Sequence, residues 1–127
     1  MTQQYLPEEI NQIGYSPVNV QTPDANAIDV VLGTLSANGS TMTVQIHGGG
    51  SGPNAAAAYS YSCAGNGVIF RDAAGVLTVS PLSVLNAFGV TPPTLALVAV
   101  GDNVVLRITP ADATVVNHRI QAIINTF

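Results

Sequence analysis

The chain has 127 residues, of which 8% are charged and 47% hydrophobic, and its three arginines and seven acidic residues give a formal net charge of −4. An ordinary soluble domain has about 25% charged residues, so a surface this poor in charge is expected to be covered largely by a partner or by further copies of the chain. Three scattered arginines cannot neutralise a phosphate backbone, which excludes nucleic acid as a partner.

The sequence pattern shows no signal for export or membrane insertion. The first ten residues, MTQQYLPEEI, lack the basic and apolar regions of a secretory signal. Pro81, Pro92 and Pro93 interrupt the uncharged stretch 73–101 and make it a poor membrane-spanning helix. A single cysteine, Cys63, excludes an internal disulfide. The pattern predicts a protein made in the cytoplasm, without a signal peptide or a membrane partner.

Residues 1–24 differ in character from the rest of the chain, because they combine three prolines and both glutamates with isolated apolar residues. The segment is too broken to form a core of its own. We therefore predict two parts: an extended N-terminal arm at 1–24 and a β-sandwich domain at 25–127. A disordered tail is the alternative for the arm. The arm residues expected to dock on a neighbouring subunit are Tyr5, Leu6, Ile10, Ile13, Tyr15, Val18 and Val20.

Strand patterns begin near Ala27, with apolar residues alternating from Ile28 onward. Asn38-Gly39 predicts a hairpin turn, and TMTVQIH after it has Met42, Val44 and Ile46 on one face. The glycine-rich stretch 48–54 (GGGSGPN) indicates a flexible loop by composition. In AAAAYSYSC, Tyr59, Tyr61 and Cys63 share one face. Asn66-Gly67 and 72–75 are predicted turns, and 81–93 is irregular.

The last third of the chain has the clearest strand pattern. The runs LALVAV, VVLRI and VVNHRIQAIINTF are separated by GDN and TPADAT, which favour tight turns. The inward residues are expected to fill the core: Leu95, Leu97, Ala99, Val104, Leu106 and Ile108 in the first two runs, and Val116, His118, Ile120, Ala122 and Ile124 in the third. Outward Arg107, Arg119 and Gln121 are predicted to pair subunits. The fold class is all-β: an antiparallel, jelly-roll-like β-sandwich of seven to nine short strands.

No catalytic or metal-binding motif is visible, so no cofactor, no metal and no enzymatic activity are expected. His47 is expected to face solvent, and His118 is expected to be a structural or interface histidine. A metal bridging the two has too few ligands to be favoured. Tyr59 and Tyr61 suit a sugar-stacking platform, but tyrosines buried in a sheet are the favoured interpretation.

From residue 28 to 127 the order of elements resembles a β-domain of bacteriophage virion proteins, found in tail, fibre and head-appendage chains of tailed phages. The resemblance is carried by the aromatic strand AYSYSC, by VIFRDAAGVLTVS, and by the final series LALVAV, GDN, VVLRITPADAT and VVNHRIQAII. The chain departs from that pattern at His118, where tryptophan is expected, and in the proline-rich segment 81–93. The resemblance implies a structural role in a virion, commonly as a homotrimer, and transfers no catalytic residue.

The favoured hypothesis is a non-enzymatic virion protein made in the host cytoplasm: a small capsid decoration (cement) or head-fibre subunit. The arm would anchor it to a larger capsid or tail lattice, and copies would associate as a homotrimer. Deleting residues 1–22 is then expected to leave a folded domain that no longer attaches. The alternatives are a tail or baseplate structural component, and a carbohydrate-binding or receptor-binding module that uses the loops 48–54 and 81–93.

Overall fold

The computed structural model describes residues 12–52, 60–87 and 92–127. In these ranges the chain forms strands and no helix. The strands are β1 (Gln12–Thr22), β2 (Ile28–Thr34), β3 (Thr41–Ser51), β4 (Tyr61–Arg71), β5 (Leu77–Val79), β6 (Ser83–Ala87), β7 (Thr94–Val100), β8 (Asn103–Thr109) and β9 (Val116–Thr126). The predicted all-β class and the predicted number of strands are confirmed.

Two antiparallel sheets form a sandwich. The larger sheet has the order β1-β9-β3-β4-β5, and the smaller sheet has the order β2-β8-β7. The short strands β5 and β6 share one edge of β4, because β5 pairs with Ile69–Arg71 and β6 pairs with Cys63–Asn66. The irregular segment predicted at 81–93 therefore contributes a short strand to this edge.

The hydrophobic core lies between the sheets and follows the predicted alternation. Met42, Val44 and Ile46 of β3 are at most 2% exposed. The smaller sheet opposes them with its own buried residues, Leu95, Leu97, Val104, Leu106 and Ile108, and β9 adds Ile120, Ala122 and Ile124. Full burial of one such aliphatic side chain stabilises the fold by about 1.5–3 kcal/mol. The inward faces predicted for β3, β8 and β9 are confirmed by this burial.

The described part of the predicted arm is a strand of the sandwich. β1 pairs with β9 along its whole length, from Gln12 opposite Thr126 to Thr22 opposite Val116. Pro17 is tolerated within β1 because β1 is an edge strand, where one side needs no ladder hydrogen bond. Residues 12–22 thus belong to the sheet, which moves the predicted boundary at 24/25. The rest of the predicted arm, 1–11, lies outside the described residues.

Part of the predicted loop 48–54 and the predicted turn at Asn66-Gly67 belong to strands, and residues 53–54 lie outside the described residues. Residues 48–51 continue β3, and Asn66-Gly67 lies within β4. A side chain at Gly67 would place its Cβ 2.5 Å from Cδ1 of Leu97 on the smaller sheet, so glycine here lets the sheets approach closely. Asn38-Gly39 is a turn, with Gly39 at φ 82, but it joins β2 to β3 of the other sheet and closes no hairpin.

The turns at 72–75 and 101–103 are hairpins as predicted, with Gly75 and Gly101 at positive φ. Arg71 at the end of β4 forms an ion pair with Asp102 in the β7–β8 turn. Its side chain also donates to the Leu35 carbonyl at 3.3 Å and to Asn38 Oδ1 at 3.0 Å. Arg71 therefore ties the larger sheet to two turns at one end of the sandwich.

Candidate functional site

The outer face of the larger sheet carries a polar groove across β1, β9 and β3. Strand pairing places Asn19 beside Arg119 and Arg119 beside Gly49. The neighbouring rows are Gln21–Asn117–Ser51 on one side and Pro17–Gln121–His47 on the other. We call the surface formed by these nine residues the Arg119 groove. It contains a concavity of about 620 Å³ and an adjoining one of about 320 Å³, and both include Asn19 and Arg119.

The floor of the Arg119 groove is glycine backbone. Gly48, Gly49 and Gly50 form the end of β3 between β9 and β4. A Cβ on Gly48 would lie 2.2 Å from the Arg119 carbonyl oxygen, and a Cβ on Gly49 would lie 2.1 Å from the Tyr61 carbonyl oxygen. Both neighbours are backbone atoms, so no side chain can be added here without separating the strands. The run of glycines is a requirement of close strand packing, and it leaves the part of the groove over Gly49, beside Arg119, without a β3 side chain.

This geometry predicts a large difference between two glycine-to-alanine substitutions. Gly49→Ala is expected to lower the free energy of unfolding by about 1–3 kcal/mol or more, because its methyl group meets fixed backbone. Gly14→Ala in β1 is the matched control, since a Cβ there has nothing within 4 Å. Its effect is expected to stay within about 0.5 kcal/mol. Urea denaturation followed by circular dichroism measures both, and equal effects would contradict the packing argument.

Beneath the glycine run, inside the sandwich, His118 forms a buried hydrogen-bonded cluster. Its Nε2 lies 2.9 Å from Thr22 Oγ1, and its Nδ1 lies 2.8 Å from the Tyr61 hydroxyl. Thr22 and His118 are at most 1% exposed. A neutral imidazole has one donor and one acceptor nitrogen, so both contacts can be hydrogen bonds at once. His118 is thus a satisfied structural histidine, and a side chain at Gly50 would collide with this cluster.

Burial lowers the pKa of His118 below its ordinary value and raises the pKa of Tyr61 well above its usual range. The unfolded chain takes up a proton at His118 near its ordinary pKa of 6.5, whereas the folded chain resists protonation until a lower pH. The stability contribution is therefore complete above that pKa and is lost as pH falls below it.

We expect the free energy of unfolding to fall as pH drops below 6.5, with a slope that approaches about 1.4 kcal/mol per pH unit once the unfolded chain is largely protonated at His118. The fall should be absent in His118→Gln. Urea denaturation at pH 7.5, 6.5 and 5.5 measures it, and His47→Gln is the matched control because His47 is exposed. A profile for His118→Gln that matched the unmodified chain would assign the pH dependence to another group.

The predicted sheet-interface residues lie on two different faces. Arg107, on the outer face of the smaller sheet, donates from Nε and Nη2 to the Asp29 carboxylate at 2.7 and 2.9 Å. This pair raises the pKa of Arg107 and lowers that of Asp29, chiefly through the hydrogen bonds. Arg119 and Gln121 are exposed in the Arg119 groove. The structure therefore does not bring the three residues together, and Arg107 already has a partner within the chain.

The predicted arm residues also separate into groups. Tyr5, Leu6 and Ile10 lie outside the described residues, and Ile13 begins the pairing of β1 with β9 near its first residue. Tyr15 is 65% exposed, so it is available to a partner. Val18, however, is 1% exposed within the core, and Val20 packs against that core. The prediction that Val18 contacts a partner is wrong, because its side chain is buried within its own sandwich.

The remaining candidates for chemistry separate as well. His47 faces outward and His118 inward, so one metal ion cannot bridge them through the sheet. In the described part of the chain, no group of three or more His, Cys, Asp or Glu residues could hold a metal ion, and no helix there is long and apolar enough to cross a membrane.

Tyr61 is 6% exposed and faces the core, which excludes it from a sugar-stacking platform. Tyr59 lies outside the described residues.

Sequence reasoning missed the groove itself. It treated 48–54 as a loop and assigned Asn19, Ser51 and Asn117 no role. The signal was present in one place, since HGGGS directly continues the alternation of TMTVQIH without an intervening proline. The contribution of Asn19 had no sequence signal, because it depends on the pairing of β1 with β9, whose paired residues are 94 or more positions apart in the chain.

No known family profile matches the sequence, and no curated protein matches it significantly. Among solved structures, the chain is similar to part of the tailspike protein gp49 of Acinetobacter baumannii bacteriophage Fri1, described as a capsular polysaccharide depolymerase, at 13% identity and a TM-score of 0.53. The match covers 94% of this chain and 18% of the tailspike chain, so this chain spans about a fifth of its length. The tailspike protein of Acinetobacter baumannii phage AM24 matches at 11% identity and a TM-score of 0.47, over 95% of this chain and 27% of its own.

The likeness to gp49 shows a shared fold, and it bears on two predictions. The resemblance to a bacteriophage virion β-domain is supported at the coarse level, because a similar fold occurs within a phage tailspike. The prediction that the protein is not an enzyme is corrected by the same finding, because that tailspike is described as a depolymerase, which is an enzyme. The lack of a catalytic motif in this chain therefore does not place it outside enzymes.

Proposed function

We propose that this chain is a β-sandwich domain of a tailed-phage tail appendage, with a structural role in the virion. The observation that carries the proposal is the likeness of almost the whole chain to part of one tailspike. That protein belongs to the tail, so the likeness supports the tail alternative better than capsid decoration. A domain that corresponds to about a fifth of such a chain is suited to act as one module of a larger appendage.

The surface of the sandwich supports association with further copies or with other parts of an appendage. Val31 and Val100, on the outer face of the smaller sheet, are 56% and 48% exposed. Val105 lies between β2 and β7 on the same face and pairs with Val31 and Val98, but it is itself only 3% exposed. Exposed apolar side chains on a chain with so few charges favour contacts that remove this face from water. We propose that copies of the chain associate as a homotrimer through this outer face of the smaller sheet.

Immunogold electron microscopy of the phage particles that contain this protein tests the proposal. Antibodies raised against the purified chain are expected to label the tail or its appendages. The control is the same serum after absorption with the purified chain, which should remove the labelling. Labelling over the head, or particles without any label beside a positive blot of infected cells, would overturn the tail assignment.

A further inference from the structure

We propose that the Arg119 groove binds an acidic polysaccharide, with the Arg119 guanidinium pairing with a sugar carboxylate and the surrounding amides binding sugar hydroxyls. The inference deepens the proposed function and rests on it for its setting, whereas the chemistry of the groove follows from its own residues.

Among the charged side chains that the structure describes, Arg119 alone has neither an ion pair nor a hydrogen-bond partner. Arg71 and Arg107 form ion pairs with Asp102 and Asp29. The other described aspartates accept hydrogen bonds from backbone N–H groups of their own turns: Asp24 from Asn26, Asp72 from Ala74 and Val76, and Asp112 from Thr114. In a chain with 8% charged residues, the single described charge without a partner lies at the centre of a concave surface.

The lining of the groove combines amides with one guanidinium group. Neither concavity of the groove is lined by an acidic side chain among the described residues. Asn19, Asn117 and Gln121 present amides, which both donate and accept hydrogen bonds as a sugar hydroxyl requires. Arginine donates in a planar fork that matches a carboxylate. Peptide grooves use apolar pockets for anchoring side chains, whereas the aliphatic side chains Val20 and Ile120 of this lining are half-buried or point inward, and Pro17 is its one exposed apolar residue. The lining therefore favours a hydroxylated, anionic ligand over a peptide.

The polar residues of the groove follow the direction of β9, and the neighbouring floor is glycine backbone. Outward residues of a strand recur about every 7 Å, so Asn117, Arg119 and Gln121 span about 13 Å along β9. This length accommodates a short oligosaccharide. The Gln21 amide donates to Asn117 Oδ1 at 2.9 Å, which fixes one wall of the groove. The glycine floor lets a ligand lie against backbone without a side chain in its way.

Affinity electrophoresis tests the inference, with the purified chain migrating through gels that contain alginate, polygalacturonate or hyaluronan. Dextran and the carboxyl-reduced form of each acidic polymer serve as neutral counterparts. We expect retention by at least one acidic polymer and none by its reduced form. Arg119→Gln should weaken that retention about tenfold or more, while Arg119→Lys should retain part of it.

Arg107→Gln is the matched control, because it removes the same charge from the outer face of the other sheet. It should leave retention unchanged, and thermal unfolding should confirm that Arg119→Gln folds. No retention by any acidic polymer, equal retention of Arg119→Gln, or equal retention by reduced polymers would overturn the inference. If antibodies label phage tails but no acidic polymer retains the chain, the proposed function stands and the groove proposal is overturned. If an acidic polymer retains the chain but the tails are not labelled, the groove proposal stands and the tail assignment is overturned.

Discussion

A chain lacking residues 1–22 is expected not to fold, whereas a chain lacking only residues 1–11 is expected to fold like the full-length protein. The longer deletion removes all of β1 and exposes the whole length of β9, an 11-residue strand, as an unpaired edge. It also removes Val18 and Thr22, which are 1% and 0% exposed. The shorter deletion retains every residue of β1. This result would replace the sequence-based expectation that a chain without residues 1–22 remains folded.

The size of the effect follows from the contacts that the longer deletion removes. Loss of the buried Val18 side chain costs about 1.5–3 kcal/mol, and an unsatisfied His118 nitrogen costs about 1–3 kcal/mol. The ladder hydrogen bonds of β1 are lost in addition. A domain of ordinary stability has only about 5–15 kcal/mol in total.

Circular dichroism and thermal unfolding of the two truncated chains, purified side by side, measure the difference. A cooperative unfolding transition in the chain without residues 1–22 would show that β1 is dispensable. It would also restore the interpretation of 1–24 as a separate arm. A chain without residues 1–11 that failed to fold would instead assign a structural role to the residues preceding β1.

Replacement of His118 by leucine is expected to lower the free energy of unfolding by about 2–5 kcal/mol. Leucine fills most of the space but leaves the Tyr61 hydroxyl and Thr22 Oγ1 buried without their present partner. Each unsatisfied buried polar group costs about 1–3 kcal/mol. Urea denaturation followed by circular dichroism measures the loss.

A triple variant distinguishes this cause from poor packing. Combining His118→Leu with Tyr61→Phe and Thr22→Val removes all three polar groups together, and it is expected to recover most of the lost stability. His47→Leu is the control for a histidine on the outer face, and its effect should be within about 0.5 kcal/mol. A triple variant as unstable as His118→Leu alone would mean that the loss comes from shape and not from unsatisfied hydroxyls.

The parts of the fold that local chemistry governs were predictable. The β7–β8 hairpin follows from two apolar runs separated by Gly101 and Asp102, and Gly101 does adopt positive φ. The inward face of β9 follows from strict alternation over its length. In these cases the local conformational preference of the residues, positive φ for glycine and alternation of side chains for a strand, agrees with the tertiary structure.

The errors fall where partners far away in the chain decide the conformation. The glycine-rich composition of this segment favours a loop. Gly48–Gly50 instead form the end of β3, where the backbones of β9 and β4 lie so close that there is no room for a side chain. At Gly67 the neighbour is the end of the Leu97 side chain on the opposite sheet, for which glycine leaves room. Asn38-Gly39 forms the expected turn, but the following strand, β3, takes its place between β9 and β4 of the larger sheet by pairing with these later strands. No local pattern contains these constraints.

The candidate site was only partly accessible from the sequence. Arg119 and Gln121 could be placed on an outward face, since alternation along a strand fixes which side chains point to the same side. Their neighbours Asn19 and Gly49 could not, because strand order and register determine which residues lie beside them.

By itself, the sequence determined the strand-forming segments, the faces of the clearest strands and the scarcity of charge, because these depend on residue type and spacing. The tertiary structure alone decided that residues 12–22 complete the larger sheet, that His118 finds Thr22 and Tyr61, and that Arg119 remains unpaired in a glycine-floored groove. The physical reason is that pairing between distant strands creates close approaches and buried hydrogen bonds, whose partners are specified by register and not by neighbours in the chain.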